Sequence, residues 1–218
     1  MRDAHDRLIW QGQYDLYALW KHFGIPADLR GQSVIDIGTA SGFFAFECEK
    51  RGAAPVIATE ISDISDWDAR SGVSYGGVNI PRENQRDFAQ LHDIMTSRVE
   101  LRYCSITDPA VKALGAFDWV IFGSLITHVR DIMLALENVR ALTIGRAVIV
   151  ASYVPGEADP VLHWIQSQRP FDWWCPAKCL MPKMLAAAGF TRVEEVSDFV
   201  LEHTDGSRHN QACWHAYP

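Results

Sequence analysis

The chain has 218 residues, nearly half of them apolar, and a formal net charge of −7. That length suits one large domain with a substantial core rather than two. The acidic balance argues against a broad phosphate-binding face, so nucleic acid is not an expected partner. The five cysteines (Cys48, Cys104, Cys175, Cys179 and Cys213) are odd in number and scattered. They read as reduced thiols of a cytoplasmic protein, not as a disulfide framework. No apolar run is long enough to span a bilayer, and the first residues have no signal-peptide core.

Strand-like and helix-like stretches alternate along the chain, the pattern of an α/β fold with a mainly parallel sheet. Residues 1–30 read as one or two helices, with Tyr14, Leu16, Tyr17 and Trp20 on apolar faces, forming a lid over the open end of the sheet. The domain proper is expected over 31–218. Strands are predicted at 33–37, 55–60, 99–104, 117–122 and 146–152, and helices at 42–51, 82–97 and 131–142. In the last helix Ile132, Leu134, Ala135, Val139 and Leu142 supply the apolar positions. Residues 61–81 are rich in Ser, Asp and Gly and read as a long loop. A helix at 182–188 stopped by Gly189 and strands at 191–196 and 211–217 close the chain. Such a terminal hairpin is more than a plain dinucleotide-binding fold requires.

The strongest local signal is Val34-Ile35-Asp36-Ile37-Gly38-Thr39-Ala40-Ser41-Gly42-Phe43. An apolar strand ends in an acid and a glycine-bearing turn that opens a helix. The glycines permit a tight turn and close approach of a ligand, and the helix N-terminus offers free N–H groups. The spacing is Gly-x-x-x-Gly, not the Gly-x-Gly-x-x-Gly of nicotinamide binders. An acid before the first glycine is awkward beside a pyrophosphate but suits an ammonium. Glu60 ends the second strand, where a carboxylate can accept both ribose hydroxyls. Ser105 and Ile106 follow the third strand, where an adenine would sit. Gly123 and Ser124 follow the fourth, where small residues leave room for a sulfonium and its methyl group. All four segments converge on the carboxyl ends of the strands, where open α/β sheets bind ligands.

On these residues the sequence resembles the class I S-adenosylmethionine-dependent methyltransferase superfamily. The likeness runs from about Leu29 to the C-terminus, through the 36–42 loop, Glu60, Phe117-Asp118-Trp119-Val120-Ile121 and Ala188-Gly189-Phe190. It implies a Rossmann-like α/β fold: a seven-stranded, mainly parallel sheet with helices on both faces and the last strand antiparallel. It further implies S-adenosylmethionine as cofactor and S-adenosylhomocysteine as product. Asp36, Gly38 and Gly42 would bind the methionine part, with Thr39, Ala40 and Phe43 completing the loop. Glu60 would bind the ribose, and Ser105 and Ile106 the adenine. Apart from the resemblance, Ile61 next to Glu60 is counted among the cofactor-binding residues, and the loop after the second strand could place Trp67 near the adenine. The family usually has a glycine where this chain has Ala40. Leu29-Arg30-Gly31 and Gly123-Ser124-Leu125-Ile126-Thr127-His128 also look like the tRNA wobble-uridine carboxymethyltransferase branch. Those enzymes carry a basic N-terminal region not found in these residues, so that likeness is taken at the level of fold.

Methyl transfer to a hydroxyl needs alignment and a base, and histidine suits the second role at neutral pH. His128, just beyond the fourth strand, is the first candidate; the alternative is that it packs on the next helix, with Asp131 as that helix's cap. Arg130 could bind a substrate carboxylate or phosphate, or pair with a nearby acid. Trp173 and Trp174, and from the N-terminal segment Trp10, Gln13 and Tyr14, could line the acceptor pocket or simply pack. Asp66 and Asp68 flank Trp67 in what reads as a solvated loop. Cys175 and Cys179 lack further ligands at metal spacing, and no paired-carboxylate pattern demands magnesium, so no metal site is expected. The reading is methyl transfer to a small molecule, a hydroxyl of a specialised metabolite or sugar. An RNA-modifying methyltransferase is the alternative; a nicotinamide-dependent oxidoreductase and a non-catalytic interaction module are weaker ones. No membrane partner is expected, and the oligomeric state stays open, a homodimer among the options.

Overall fold

The computed structural model describes residues 1–2, 7–10, 12, 14–67, 79–165, 172–204 and 206–218. The elements, in chain order, are α1 (Leu16–Leu19), β1 (Val34–Ile37), α2 (Phe43–Lys50), β2 (Val56–Glu60), α3 (Ile80–Met95), β3 (Glu100–Tyr103), β4 (Phe117–Gly123), α4 (Ile132–Leu142), β5 (Thr143–Ser152), β6 (Leu162–Trp164), β7 (Trp174–Pro176), α5 (Met181–Ala187), β8 (Arg192–Glu202) and β9 (Arg208–Tyr217). Seven strands form one sheet in the order β3-β2-β1-β4-β5-β9-β8. β1 to β5 run parallel, and β9 is antiparallel to both its neighbours. β6 and β7 make a separate antiparallel hairpin.

Side chains of a strand alternate between the two faces of the sheet. Ile35 and Ile37 of β1 therefore join Val120, Phe122, Ile149 and Trp214 in a core covered by α4 and α5. Val34 joins Ile121, Val148 and Cys213 in a second core beneath α2 and α3. Asp36 shares a face with Val34, so its carboxylate points toward α2. α4 starts where Asp131 accepts the Leu134 N–H, a cap that satisfies a terminal donor. Its buried positions are Ile132, Ala135, Leu136, Asn138, Val139 and Leu142, so Leu136 rather than Leu134 completes the apolar stripe.

Three expectations change. Among the described residues of 1–30, helix is limited to the four-residue α1 and a 3-10 turn at Trp20–His22. The short runs between Gly24, Pro26 and Gly31 offer too few residues to offset helix nucleation. Met1, Phe23, Ile25 and Leu29 instead fill the α2-side core, so this segment wraps one face of the sheet. β5 begins at Thr143, earlier than expected, because Gly145 lets the Asp118 carbonyl approach to where a side chain would stand. β8 runs on to Glu202, since a strand at the edge of the sheet tolerates outward polar residues such as Asp198 and Glu202. All five cysteines are free thiols.

Candidate functional site

The turn between β1 and α2 is built from left-handed backbone. Gly38, Ala40 and Gly42 have φ of 66°, 51° and 91°. A side chain on Gly38 would collide with Leu125, and one on Gly42 with the Phe46 and Phe88 rings. Ala40 stands in the left-handed region where an L-residue costs roughly 1–2 kcal/mol, so the backbone keeps the shape that a glycine would take more easily.

Asp36 holds this turn from beneath. Its Oδ2 accepts the Thr39 hydroxyl at 2.6 Å and the Ala45 N–H of α2 at 3.2 Å. Thr39 also donates its N–H to the Thr59 carbonyl, tying the turn to β2. Glu60 holds it from the side: Oε1 accepts the Ile61 N–H at 2.9 Å and Oε2 the Ala40 N–H at 3.0 Å. Burial pushes the Asp36 carboxyl up to about 7, against the Thr39 and Ala45 hydrogen bonds, and the Glu60 charge pushes the same way. Burial raises Glu60 as well, opposed by its two backbone donors. Two carboxyls thus sit beneath and beside one turn in surroundings that would be eased by a positive charge.

The neighbouring turn at this end of the sheet is the one after β4. Ser124 adopts a left-handed φ of 56°. Its N–H donates to the Val150 carbonyl and its hydroxyl to Gln211 Oε1, and Gln211 Nε2 donates to the Ser152 hydroxyl. Gly123 faces the Phe44 ring. Beyond β3, the Ser105 hydroxyl lies 2.9 Å from that of Thr107.

His128 ends a 3-10 turn at Ile126–His128. Its Nδ1 lies 3.2 Å from Asp172 Oδ1. The Trp67 ring stands edge-on to the imidazole, centroids 6.1 Å apart. Trp67 follows β2 and His128 follows β4, and β1 lies between those strands. This contact therefore arches over the carboxyl end of β1. The β6–β7 hairpin flanks the same place: Trp173 donates its N–H to the Thr127 carbonyl, and the Trp174 indole donates to the Arg130 carbonyl. Trp164 lies edge-on to both of these indoles and is half exposed.

The structure thus gathers Asp36, Gly38, Thr39, Ala40, Gly42, Glu60 and Ile61 about one turn, and Trp67, His128 and Trp173 about another. The remaining predicted site residues are placed as follows. Asp36 and Thr39 are sunk under the turn and bonded to it, so they shape it from below. Phe43 packs against Trp20 and Phe44, and Ile106 is buried against α4, because both point into a core. Trp67 lies beside His128 instead of with Ser105. Trp10 packs on the α2-side core and Tyr14 pairs with His203 by the β8–β9 turn, since the N-terminal segment runs along that face. Gln13 and Asp68 lie outside the described residues, as does most of the 61–81 loop. Sequence reasoning missed Asp172, Gln211 and Trp164. Gln211 alone left a signal, a long polar amide in an otherwise apolar strand.

No family model matches the chain, and no curated protein matches it in sequence. Solved structures do match in three dimensions. The N-terminal domain of EvdMO1, in the presence of S-adenosylhomocysteine and D-fucose, superposes with a TM-score of 0.64 at 15% identity, over 93% of this chain and 81% of that one. The 1,6-didemethyltoxoflavin-N1-methyltransferase of Burkholderia thailandensis, with its substrate and S-adenosylhomocysteine bound, gives 0.56 at 19% identity over 93% and 82%. An S-adenosylmethionine-dependent methyltransferase of Mesorhizobium loti gives 0.56 at 14% over 92% and 95%. Against the longer EvdMO1 structure the chain spans only 39% of the other's length. The fold is that of the class I methyltransferases.

Proposed function

We propose that this chain, with its class I methyltransferase fold, binds S-adenosylmethionine and transfers its methyl group to a hydroxyl of a small molecule. The observation that carries the reading is the β1–α2 turn, shaped by Asp36 and bordered by Glu60. Each Glu60 oxygen accepts one backbone N–H, and a carboxylate has about four lone-pair sites. Two sites therefore remain for the hydroxyls of a ribose. The raised carboxyls suit a cationic ligand and oppose a pyrophosphate. Gly38 lets the turn take its left-handed φ with Leu125 packed directly against it.

Bound at the turn, the cofactor would supply an electrophilic methyl on a sulfonium that departs as a neutral thioether. The chain's own groups would do the rest. Glu60 and the turn would hold the nucleoside, and Ser124 would wall the side toward the methyl. His128 would receive the acceptor's proton, and Trp67 and Trp173 would limit water around it.

Calorimetric titration with S-adenosylhomocysteine tests the first half. Saturable one-to-one binding is expected in the wild type, with a loss of at least 100-fold in Gly38→Val. Binding of a nicotinamide dinucleotide in place of S-adenosylhomocysteine would overturn the reading. Transfer of labelled methyl to catechol and to D-fucose, as probes of phenolic and sugar hydroxyls, tests the second half. D-fucose enters because the EvdMO1 domain was crystallised in its presence.

A further inference from the structure

We infer that Asp172 is the positioning residue of His128, fixing which ring nitrogen carries the proton. The inference rests on the hydroxyl-methylation reading for its purpose and on geometry for its substance. The two residues come from separate segments, one past β4 and one leading into β7. Two backbone-anchored bonds hold those segments in step. The Trp173 N–H reaches the Thr127 carbonyl at 2.8 Å, so the neighbours of His128 and Asp172 are paired directly. The Trp174 indole reaches the Arg130 carbonyl at 3.0 Å. The clamp brings Asp172 Oδ1 to 3.2 Å from His128 Nδ1. Asp172 is only 8% exposed. A carboxylate so far from water is stabilised by a nearby positive charge. His128 stands at ion-pair distance rather than in hydrogen-bond geometry, so the imidazolium formed on proton uptake would supply that charge. From its other side the ring meets Trp67. Of the neighbouring charges, Asp131 is engaged as the cap of α4, and Arg130 is exposed.

A carboxylate at Nδ1 keeps the proton there and puts the lone pair on Nε2. When an acceptor O–H attacks the methyl carbon, its oxygen forms the new C–O bond and its proton passes to Nε2. The C–S bond breaks and its electron pair stays on sulfur. The imidazolium that results forms next to the Asp172 charge, which stabilises it without taking the proton. Asp172 thereby acts through His128.

The test is the tautomer of His128 in the full chain, read by nitrogen NMR on histidine-labelled protein and assigned with His128→Gln. Nδ1–H is expected in the wild type and in Asp172→Glu. The near-isosteric Asp172→Asn is expected to shift the ring to Nε2–H while its circular dichroism stays unchanged. A wild-type ring already in the Nε2–H form, or one tautomer common to wild type and Asp172→Asn, would overturn the inference. With the probe methylated in the acceptor assay, Asp172→Asn is expected to lower kcat by about 100-fold, the lower range for a general base. KM for that probe and the affinity for S-adenosylhomocysteine should change less than threefold. If S-adenosylhomocysteine fails to bind the wild type, the methyltransferase reading falls, while the tautomer still reports on the pair.

Discussion

The turn after β1 is held by its own neighbourhood, whereas the turn after β4 is held from a distance. In the first, Asp36 bonds to Thr39 and Ala45, and Glu60 arrives from the very next strand. In the second, Ser124 is tied to Val150 of β5 and Gln211 of β9, and His128 meets Asp172 and Trp67 from segments far along the chain. The difference matches what each wall has to do. A nucleoside cradle can be made from one β–turn–α unit, because backbone N–H groups and a fixed twist recur wherever that unit forms. A site for the acceptor must assemble several loops around a reacting atom, so its geometry belongs to the tertiary fold.

Substitutions on the two walls should therefore fail differently. The largest expected effect is on the distant wall: His128→Ala should lower kcat by about 100- to 10,000-fold, the span typical of a lost general base, with affinity for S-adenosylhomocysteine unchanged. Steady-state kinetics beside calorimetry would read it, and equal losses in both would dissolve the contrast between the walls.

A smaller effect concerns the local wall and pH. The Asp36 carboxyl is raised from the ordinary range near 4 to about 7 in the folded chain. The native state thus holds a proton that the unfolded chain releases between those values. Stability from this group is full below about 4 and is lost as pH rises through about 7. Asp36→Asn keeps an oxygen for Thr39 and Ala45 and removes the ionisation. Its melting temperature should match the wild type near pH 4 and exceed it above pH 7.5. Glu60, raised by burial too, leaves a residual slope of the same sign in both proteins. Parallel melting curves across that range would show that Asp36 does not titrate there.

The smallest effect sharpens the picture of the turn itself. Ala40→Gly should stabilise the chain by about 1 kcal/mol, since glycine takes φ of 51° without the penalty of a Cβ and returns part of that gain as unfolded-state entropy. Denaturant unfolding would measure it, and S-adenosylhomocysteine affinity should hold. A loss of stability would mean that the alanine methyl packs against something the turn needs.

Much of the fold was legible because it rests on period and punctuation. The apolar run ending in Asp36 and Gly38, the cap at Asp131 and the stop at Gly189 each act within a few residues, and each marks a boundary in the structure. The terminal strands read as a hairpin because a helix, a strand, a polar loop and a second strand follow one another there, and in the structure Gln211 to Tyr217 alternates into both cores. The N-terminal segment misled, since Tyr14, Tyr17 and Trp20 suit a helix face equally well when they pack as separate contacts. Asp172 was illegible: beside Trp173 and Trp174 it looks like any loop acid, and its worth lies in a partner in another segment of the chain.

The amino-acid sequence by itself determined the order of strands and helices, the left-handed turn and the acids that border it, because hydrogen bonds and steric limits among near neighbours decide those. Only the tertiary structure decided that Asp36 faces inward, that Trp67 crosses above β1 and that Asp172 meets His128. Those outcomes depend on which face of a strand is covered and on which loops share an edge of the sheet, and such long-range packing leaves no local pattern to read.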